Sequence, residues 1–125
     1  MSHWTKVQLQ IKSIPALKQA CKELGLQFTD EKQAVGFGSL RTAVDYNIKI
    51  PNTRYTVGFK KTEDGYAMVA DFYDATLRNA IGNNGDKLKQ TYAVCAAEME
   101  ARKKGWMVTR NRLSNGKVKL SVRVR

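Results

Sequence analysis

The residues best suited to chemistry in this chain are cations, and they concentrate at its C-terminal end. The last twenty-five residues, Ala101 to Arg125, contain nine lysine or arginine side chains and no aspartate or glutamate. The preceding residues are nearly balanced, so this segment supplies most of the formal net charge of +11. A folded surface of one charge sign repels itself, and an anionic partner relieves that repulsion. The composition therefore indicates a kind of partner, but it indicates no reaction.

A tight turn at Asn115-Gly116 is predicted to gather these cations on one face of a β-hairpin, because Asn-Gly is the strongest two-residue hairpin signal. A two-residue loop there would pair Ser114 with Lys117, Arg112 with Lys119, Arg110 with Ser121 and Val108 with Arg123. The alternate pairs, Leu113 with Val118, Asn111 with Leu120, Thr109 with Val122 and Met107 with Val124, would face the core. The residues predicted to bind an anionic partner are Arg110, Arg112, Lys117, Lys119, Arg123 and Arg125.

Three interpretations of this basic face stay open. Cations that repeat about every 7 Å along a strand could follow the phosphates of RNA or DNA. An acidic protein surface would attract the same charges. Alternatively, the charges could only protect an exposed hairpin from aggregation. Arg112 opposite Lys119 argues against this last interpretation, because like charges directly opposite each other destabilise a sheet.

Candidate catalytic and metal-binding groups are sparse. His3 is the only histidine and lies near the chain end, so a catalytic triad would have to run through that position. Cys21 and Cys95 lack metal or redox spacing and are predicted to be reduced thiols in the core. Asp71 and Asp74 could form an acid/base pair or hold Mg²⁺, but capping, loop or ion-pair roles are favoured. We therefore expect a non-enzymatic protein without a metal or cofactor.

The elements that position these residues are predicted in the order β-α-β-β-β-β-α-β-β. Alternation over residues 5–12 indicates a strand, and Ser13, Pro15 and Gly25 mark the start and end of the first helix. Three strands between residues 44 and 72 form an antiparallel meander, and residues 86–105 form the second helix. Residues 29–43 show little periodicity, and residues 73–85 are predicted to be a polar connection. Trp106 is expected to pack against the end of the second helix.

These elements predict a single α+β domain over residues 1–125, with a mainly antiparallel sheet of six to seven strands and both helices packed on one face. No apolar run approaches the length needed to span a bilayer, and the first residues lack the apolar stretch of a secretory signal. We expect a cytoplasmic protein that is neither secreted nor membrane-embedded. The composition does not decide the oligomeric state.

Five stretches of the chain resemble one family, and they are spread over nearly its whole length. They are residues 1–6 (MSHWTK), 55–59 (YTVGF), 69–73 (VADFY), 87–93 (KLKQTYA) and 104–108 (KGWMV), the last followed by the basic hairpin. On these residues the chain resembles the hypothetical chloroplast reading frame thirty-five family, a conserved domain of unknown function in plastids, cyanobacteria and other bacteria. It departs from the family pattern at Thr91, where an arginine is usual, and at Val124-Arg125, where an aromatic residue is usual.

The resemblance implies an accessory role, because no catalytic activity is assigned to the family. Its members are often encoded beside an AAA-type ATPase, a ferredoxin-like protein and another small uncharacterised protein, and those of plastid origin would work in the stroma. With the basic hairpin, this leads us to expect a non-enzymatic adaptor that binds an acidic surface of a protein partner, such as the ATPase or the small companion protein. The alternative is an RNA- or DNA-binding domain that uses the same face.

Overall fold

The computed structural model describes residues 4–124, with the backbone alone for residues 8–10. His3 and Arg125 therefore lie outside the described residues. The elements are β1 (Thr5–Ile11), α1 (Ile14–Leu24), β2 (Gln27–Thr29), β3 (Gln33–Val35), β4 (Arg41–Ala43), β5 (Tyr46–Lys49), β6 (Thr56–Thr62), β7 (Gly65–Ala70), α2 (Ala75–Ile81), α3 (Asp86–Lys103), β8 (Met107–Arg112) and β9 (Val118–Arg123). A single 3₁₀ turn, Asn83–Gly85, precedes α3. The predicted α+β class is confirmed.

The core is built on a five-stranded antiparallel sheet with the strand order β1-β7-β6-β5-β2. The strands β5, β6 and β7 form the predicted meander. Because side chains alternate across a strand, Ile48, Val57, Phe59 and Met68 share one face, and all four are fully buried. This apolar face requires a covering layer.

The helices α1 and α3 pack against each other and supply that layer, as predicted. The helix α1 begins after Ser13, whose Oγ accepts a hydrogen bond from the Ala16 amide, and it ends at Gly25 in the left-handed conformation (φ 71°). Tyr92 ties α3 to the start of α1, because its hydroxyl accepts hydrogen bonds from the amides of Lys12 (2.9 Å) and Ser13 (3.1 Å). The two helices and the sheet thus close one core.

The prediction that residues 73–85 form only a polar connection is wrong, because the segment contains α2. Asp74 caps this helix, and its Oδ2 accepts a hydrogen bond from the Leu77 amide at 3.0 Å. Leu77 and Ile81 are fully buried in the same core as α1 and α3. Two apolar residues four positions apart are a weak periodic signal for a helix. The burial of Leu77 and Ile81 in the core stabilises α2.

The opposite face of the central sheet is covered by the hairpin of β3 and β4, within the segment that showed little periodicity. Asn47 is completely buried between the two layers, and its Nδ2 donates a hydrogen bond to the Gln33 carbonyl at 2.7 Å. Gly58 lies where the layers touch, since a Cβ there would collide with Val44 and lie 3.0 Å from Ala34. A small hairpin can therefore pack closely on this face.

The strands β8 and β9 form a separate two-stranded sheet, and β3 and β4 form another. The strands are thus distributed over three antiparallel sheets, although the sequence pattern was compatible with one. None of the helices in residues 4–124 has the length and apolar character needed to cross a membrane.

Candidate functional site: the C-terminal hairpin

The turn between β8 and β9 forms around Asn115 and Gly116 as expected, but its loop has three residues. The Leu113 amide donates to the Lys117 carbonyl at 2.8 Å, which closes the loop over residues 114–116. Asn115 Oδ1 accepts a hydrogen bond from the Lys117 amide at 3.0 Å, and Gly116 has a φ of 83°. A turn followed by a left-handed glycine is the usual geometry of a three-residue hairpin loop. The predicted two-residue loop is therefore wrong by one residue.

This shift in register changes which side chains share a face. Arg110 lies opposite Leu120 and Arg112 opposite Val118, whereas Lys119 lies opposite Asn111. A one-residue slip exchanges the faces of one strand relative to the other. The predicted all-basic outer face is wrong for this reason.

The six predicted anion-binding residues are accordingly divided. Arg110 and Arg112 lie on the hairpin face that also carries the half-buried Val108, Val118 and Leu120. The remaining described members, Lys117, Lys119 and Arg123, lie on the exposed outer face, and Arg125 lies outside the described residues.

Arg110 joins the hairpin to both long helices. Its Nη1 and Nη2 donate to the two carboxylate oxygens of Glu23 on α1 at 2.8 and 2.9 Å, and its Nε donates to Glu98 Oε2 on α3 at 2.6 Å. The side chain of Glu98 is only 8% exposed, against 35% for Arg110. Bidentate guanidinium–carboxylate pairs are the strong form of ion pair, and removal of the cation would leave Glu98 buried and uncompensated.

The ion-pair cluster also perturbs the acidity of its members. The hydrogen bonds from Arg110 lower the pKa of Glu23 from 4.5 to about 2. The hydrogen bonds with Glu98 and Glu23 raise the pKa of Arg110 above its usual value. The pair of Glu23 and Arg110 therefore stays ionised at neutral pH.

The two cysteines lie beside this cluster and are both buried and free. Burial raises the pKa of Cys21 to about 12 and that of Cys95 to about 11. The Cys95 thiol donates a hydrogen bond to Glu23 Oε2 at 3.2 Å. Because the thiolate is the nucleophilic form, both groups are poor nucleophiles at neutral pH.

The carboxylates considered for acid/base chemistry organise backbone instead. Asp71 accepts hydrogen bonds from the amides of Phe37 (2.9 Å) and Tyr73 (3.1 Å), and Asp74 caps α2. Among the residues that the structure describes, no group of three or more histidine, cysteine, aspartate or glutamate side chains is arranged to hold a metal ion.

Large apolar side chains are exposed on the same C-terminal segment as the outer cations. They are Met107 (54%), Leu113 (44%), Val122 (45%) and Val124 (61%). Trp106 begins the segment, and its ring lies 4.7 Å from Lys104 Nζ at the end of α3, where the sequence predicted it. Met107 and Leu113 lie on the outer face with Lys117, Lys119 and Arg123, so this face is a mixture of apolar and cationic groups.

The sequence analysis did not predict that the aromatic side chains of Phe37 and Tyr73 are exposed and in contact with each other. Their ring centroids lie 5.3 Å apart, and both rings are more than half exposed. Phe37 lies between two glycines in a segment without periodicity, and that Gly-Phe-Gly pattern is the only local signal for an aromatic ring presented on a turn.

A family of proteins described as "Protein of unknown function (DUF1257)" matches residues 20–121 of this chain. The chain belongs to this family. The match extends from within α1 to within β9, so it includes four of the five strands of the central sheet, α3 and most of the hairpin.

Two relatives agree with the resemblance seen in the sequence. An uncharacterised protein named ycf35 from Pyropia yezoensis is 32% identical over 107 residues, which cover 85% of this chain and 83% of the relative. A protein of the same name from Cyanophora paradoxa is 35% identical over 95 residues, which cover 74% and 73% of the two chains. Both relatives carry the name of the family that the sequence resembles, so the expected family is confirmed. No solved structure matches the chain.

Proposed function

We propose that this protein is a non-enzymatic adaptor that binds a protein partner through the outer surface of its C-terminal hairpin. The observation that carries the proposal is the mixture of exposed apolar residues and cations on β8, β9 and their loop. The partner surface would combine an apolar patch with surrounding carboxylates.

The apolar component supports a folded or extended polypeptide as the ligand. Met107 and Leu113 lie on the outer face of the hairpin with Lys117, Lys119 and Arg123, and Val124 follows at the end of β9. Large apolar side chains that cluster with cations on a surface are typical of protein interfaces, where the apolar groups supply the energy and the charges supply the orientation.

The division of the cations weakens the alternative of nucleic-acid binding without removing it. Arg110 is neutralised by Glu23 and Glu98 and is not available to a phosphate. Three described cations remain on the outer face, and a groove that follows a polynucleotide usually offers a longer cationic track. Nucleic acid is therefore the second candidate, motivated by the net charge of +11.

The family resemblance supplies a setting for the adaptor. Because family members are often encoded beside an AAA-type ATPase and a small uncharacterised protein, either protein is a candidate to carry the acidic surface. We propose that the hairpin binds within such a complex.

The test is affinity purification of the full-length chain from its host, with and without nuclease treatment, followed by mass spectrometry. Two variants remove the two components of the surface: Met107→Ser with Leu113→Ser, and Lys117→Gln with Lys119→Gln and Arg123→Gln. We expect a stoichiometric protein companion that survives nuclease treatment and is reduced about tenfold or more by either variant.

The matched control replaces three exposed lysines elsewhere, Lys12, Lys22 and Lys61, by glutamine, which makes the same change in net charge. This control should retain the companion. Recovery of RNA or DNA alone, with binding that weakens steeply between about 50 and 200 mM salt, would overturn the proposal in favour of nucleic-acid binding. A companion that is lost equally from the control would show that net charge acts and the hairpin does not.

A further inference from the structure

The loop between β3 and β4, which is far from the C-terminal hairpin in the sequence, presents an exposed aromatic side chain. Phe37 is 54% exposed and meets Tyr73, which is 58% exposed, at an interplanar angle of 77°. Among the side chains that the structure describes, which exclude those of residues 8–10, these two are the large exposed hydrophobic ones outside the C-terminal hairpin. An exposed aromatic pair is costly in a monomer and is typical of a contact surface.

The backbone that carries the two rings is held by one buried carboxylate. Asp71 is 1% exposed, and its two oxygens accept hydrogen bonds from the amides of Phe37 and Tyr73, respectively. Gly36 lets the loop approach this carboxylate, since a Cβ at residue 36 would lie 2.9 Å from Asp71 Oδ2. The Gly36 amide and the Leu40 carbonyl close the loop at 2.9 Å. The backbone that carries the two rings is thus fixed before any partner arrives, which lowers the entropy cost of binding.

Arginine side chains bind the backbone next to both aromatic residues. Arg41 Nη1 and Arg54 Nη1 donate to the same Gly38 carbonyl oxygen, at 3.2 and 3.1 Å, so two guanidinium groups converge at one point. Arg78 Nη1 donates to the carbonyls of Phe72 (2.6 Å) and Tyr73 (2.7 Å). Within the described residues, Arg41, Arg54 and Arg78 form no ion pair with a carboxylate. Cations brought together in this way favour an incoming anion.

We propose that this surface, formed by Phe37, Tyr73, Arg41 and Arg54, anchors a segment of a protein partner that packs an apolar side chain on the aromatic pair and places a carboxylate on the two arginines. Aromatic residues and arginine are the residues that most often dominate protein interfaces. The surface is separate from the hairpin, so the inference goes beyond the adaptor function proposed above and does not rest on it.

The observations favour a polypeptide over a nucleic acid. The two rings meet edge to face, so they do not form a continuous platform on which successive bases could stack. Asp71 and Asp74 lie next to the aromatic pair in the chain and offset part of the arginine charge, which suits one carboxylate better than a row of phosphates.

The test places the photo-crosslinker p-benzoylphenylalanine at position 37 of the full-length chain, irradiates host cells and sequences the cross-linked peptide. The substituted residue remains aromatic, and the backbone hydrogen bond to Asp71 is kept. We expect one dominant protein adduct, with aspartate or glutamate within a few residues of the cross-linked position. Arg41→Gln with Arg54→Gln should lower its yield about tenfold.

Two comparisons make the result decisive. The crosslinker at Lys61, an exposed position on β6, should not capture the same peptide. The adduct at position 37 should persist in the hairpin variant with Lys117, Lys119 and Arg123 replaced by glutamine, so failure of the hairpin proposal can be distinguished from failure of this one. A cross-link to nucleic acid, to a second copy of this chain, to a peptide without acidic residues, or no adduct at all would overturn the inference. An adduct whose yield is insensitive to the two arginine substitutions would do the same.

Discussion

The central sheet with its helices and the C-terminal hairpin are held in place in different ways. In the first region, residues such as Leu17, Phe59 and Leu88 are completely removed from solvent. In the hairpin, none of residues 107–124 is buried, and three side chains of its inner face are only half-buried. Its firmest attachment is the guanidinium group of Arg110 between two carboxylates.

The central sheet and the hairpin are therefore expected to differ in stability, although they belong to one chain. An isolated two-stranded hairpin is marginally stable in water, so β8 and β9 depend on their contacts with α1 and α3. Segments with few buried apolar contacts open locally at a free energy below that of global unfolding. We expect the hairpin to open while the central sheet stays folded.

The largest effect is expected from Phe59→Ala, because it removes a fully buried side chain at the centre of the sheet. The free energy of global unfolding should fall by about 3–5 kcal/mol. Urea denaturation followed by circular dichroism measures this change. Leu120→Ala, on the half-buried face of the hairpin, is the matched variant and should lower it by about 1 kcal/mol or less. Equal losses for the two variants would show that the hairpin and the core unfold as one unit.

The second effect is local and follows from Arg110→Met. This substitution keeps an apolar stem of similar length but leaves Glu98 buried and Glu23 without its cation. Opening of the hairpin should become easier by about 2–4 kcal/mol. Amide hydrogen exchange should show the loss of protection in β8 and β9, with protection in β6 and β7 retained.

Arg112→Met is the control for this experiment, since Arg112 forms no ion pair within the described residues. Its hairpin amides should exchange as in the unaltered protein. If Arg110→Met instead left hairpin protection unchanged, the apolar contacts with α3 would be sufficient to hold the hairpin.

The smallest effect is a pH dependence that arises from Glu23. Its pKa is lowered from 4.5 to about 2 by Arg110, so the stabilisation is fully present above about pH 4.5 and is lost as the pH falls towards 2. Because the pair is partly exposed, we expect its contribution to be about 1–2 kcal/mol. Hairpin exchange protection, measured at several pH values, should decline over this range.

Glu23→Gln isolates the contribution from that of the other carboxylates. The difference in hairpin protection between this variant and the unaltered protein should be constant above about pH 5 and should vanish near pH 2. A difference that persists unchanged at pH 2 would contradict the assignment to Glu23.

Much of the central fold could be predicted because its signals are local. Ser13 and Gly25 bound α1 through hydrogen-bonding and backbone chemistry that lies within a few residues of each. The meander follows from alternating apolar residues and short turns. The short helix α2 and the hairpin of β3 and β4 were missed, because each has too few residues to establish a period.

The candidate site was predicted less well, because the hairpin loop contains one residue more than the sequence analysis predicted. The sequence Asn115-Gly116 is compatible with loops of two or three residues, and the two choices place Arg110 in different pairs. The three-residue loop lets Val108, Val118 and Leu120 share the inner face of the hairpin. Contacts with α3, which the local sequence does not encode, favour that register.

By itself, the sequence determined that the C-terminal segment is a cationic hairpin and that an α+β core precedes it, because charge, turn chemistry and periodicity act over short distances. Which of these cations remain available to an anionic partner depends on the tertiary structure. Arg110 meets Glu23 across 87 positions of the chain, and Phe37 and Tyr73 meet across the loop that Asp71 anchors. These contacts form because whole helices and strands pack against one another, and no local sequence pattern predicts them.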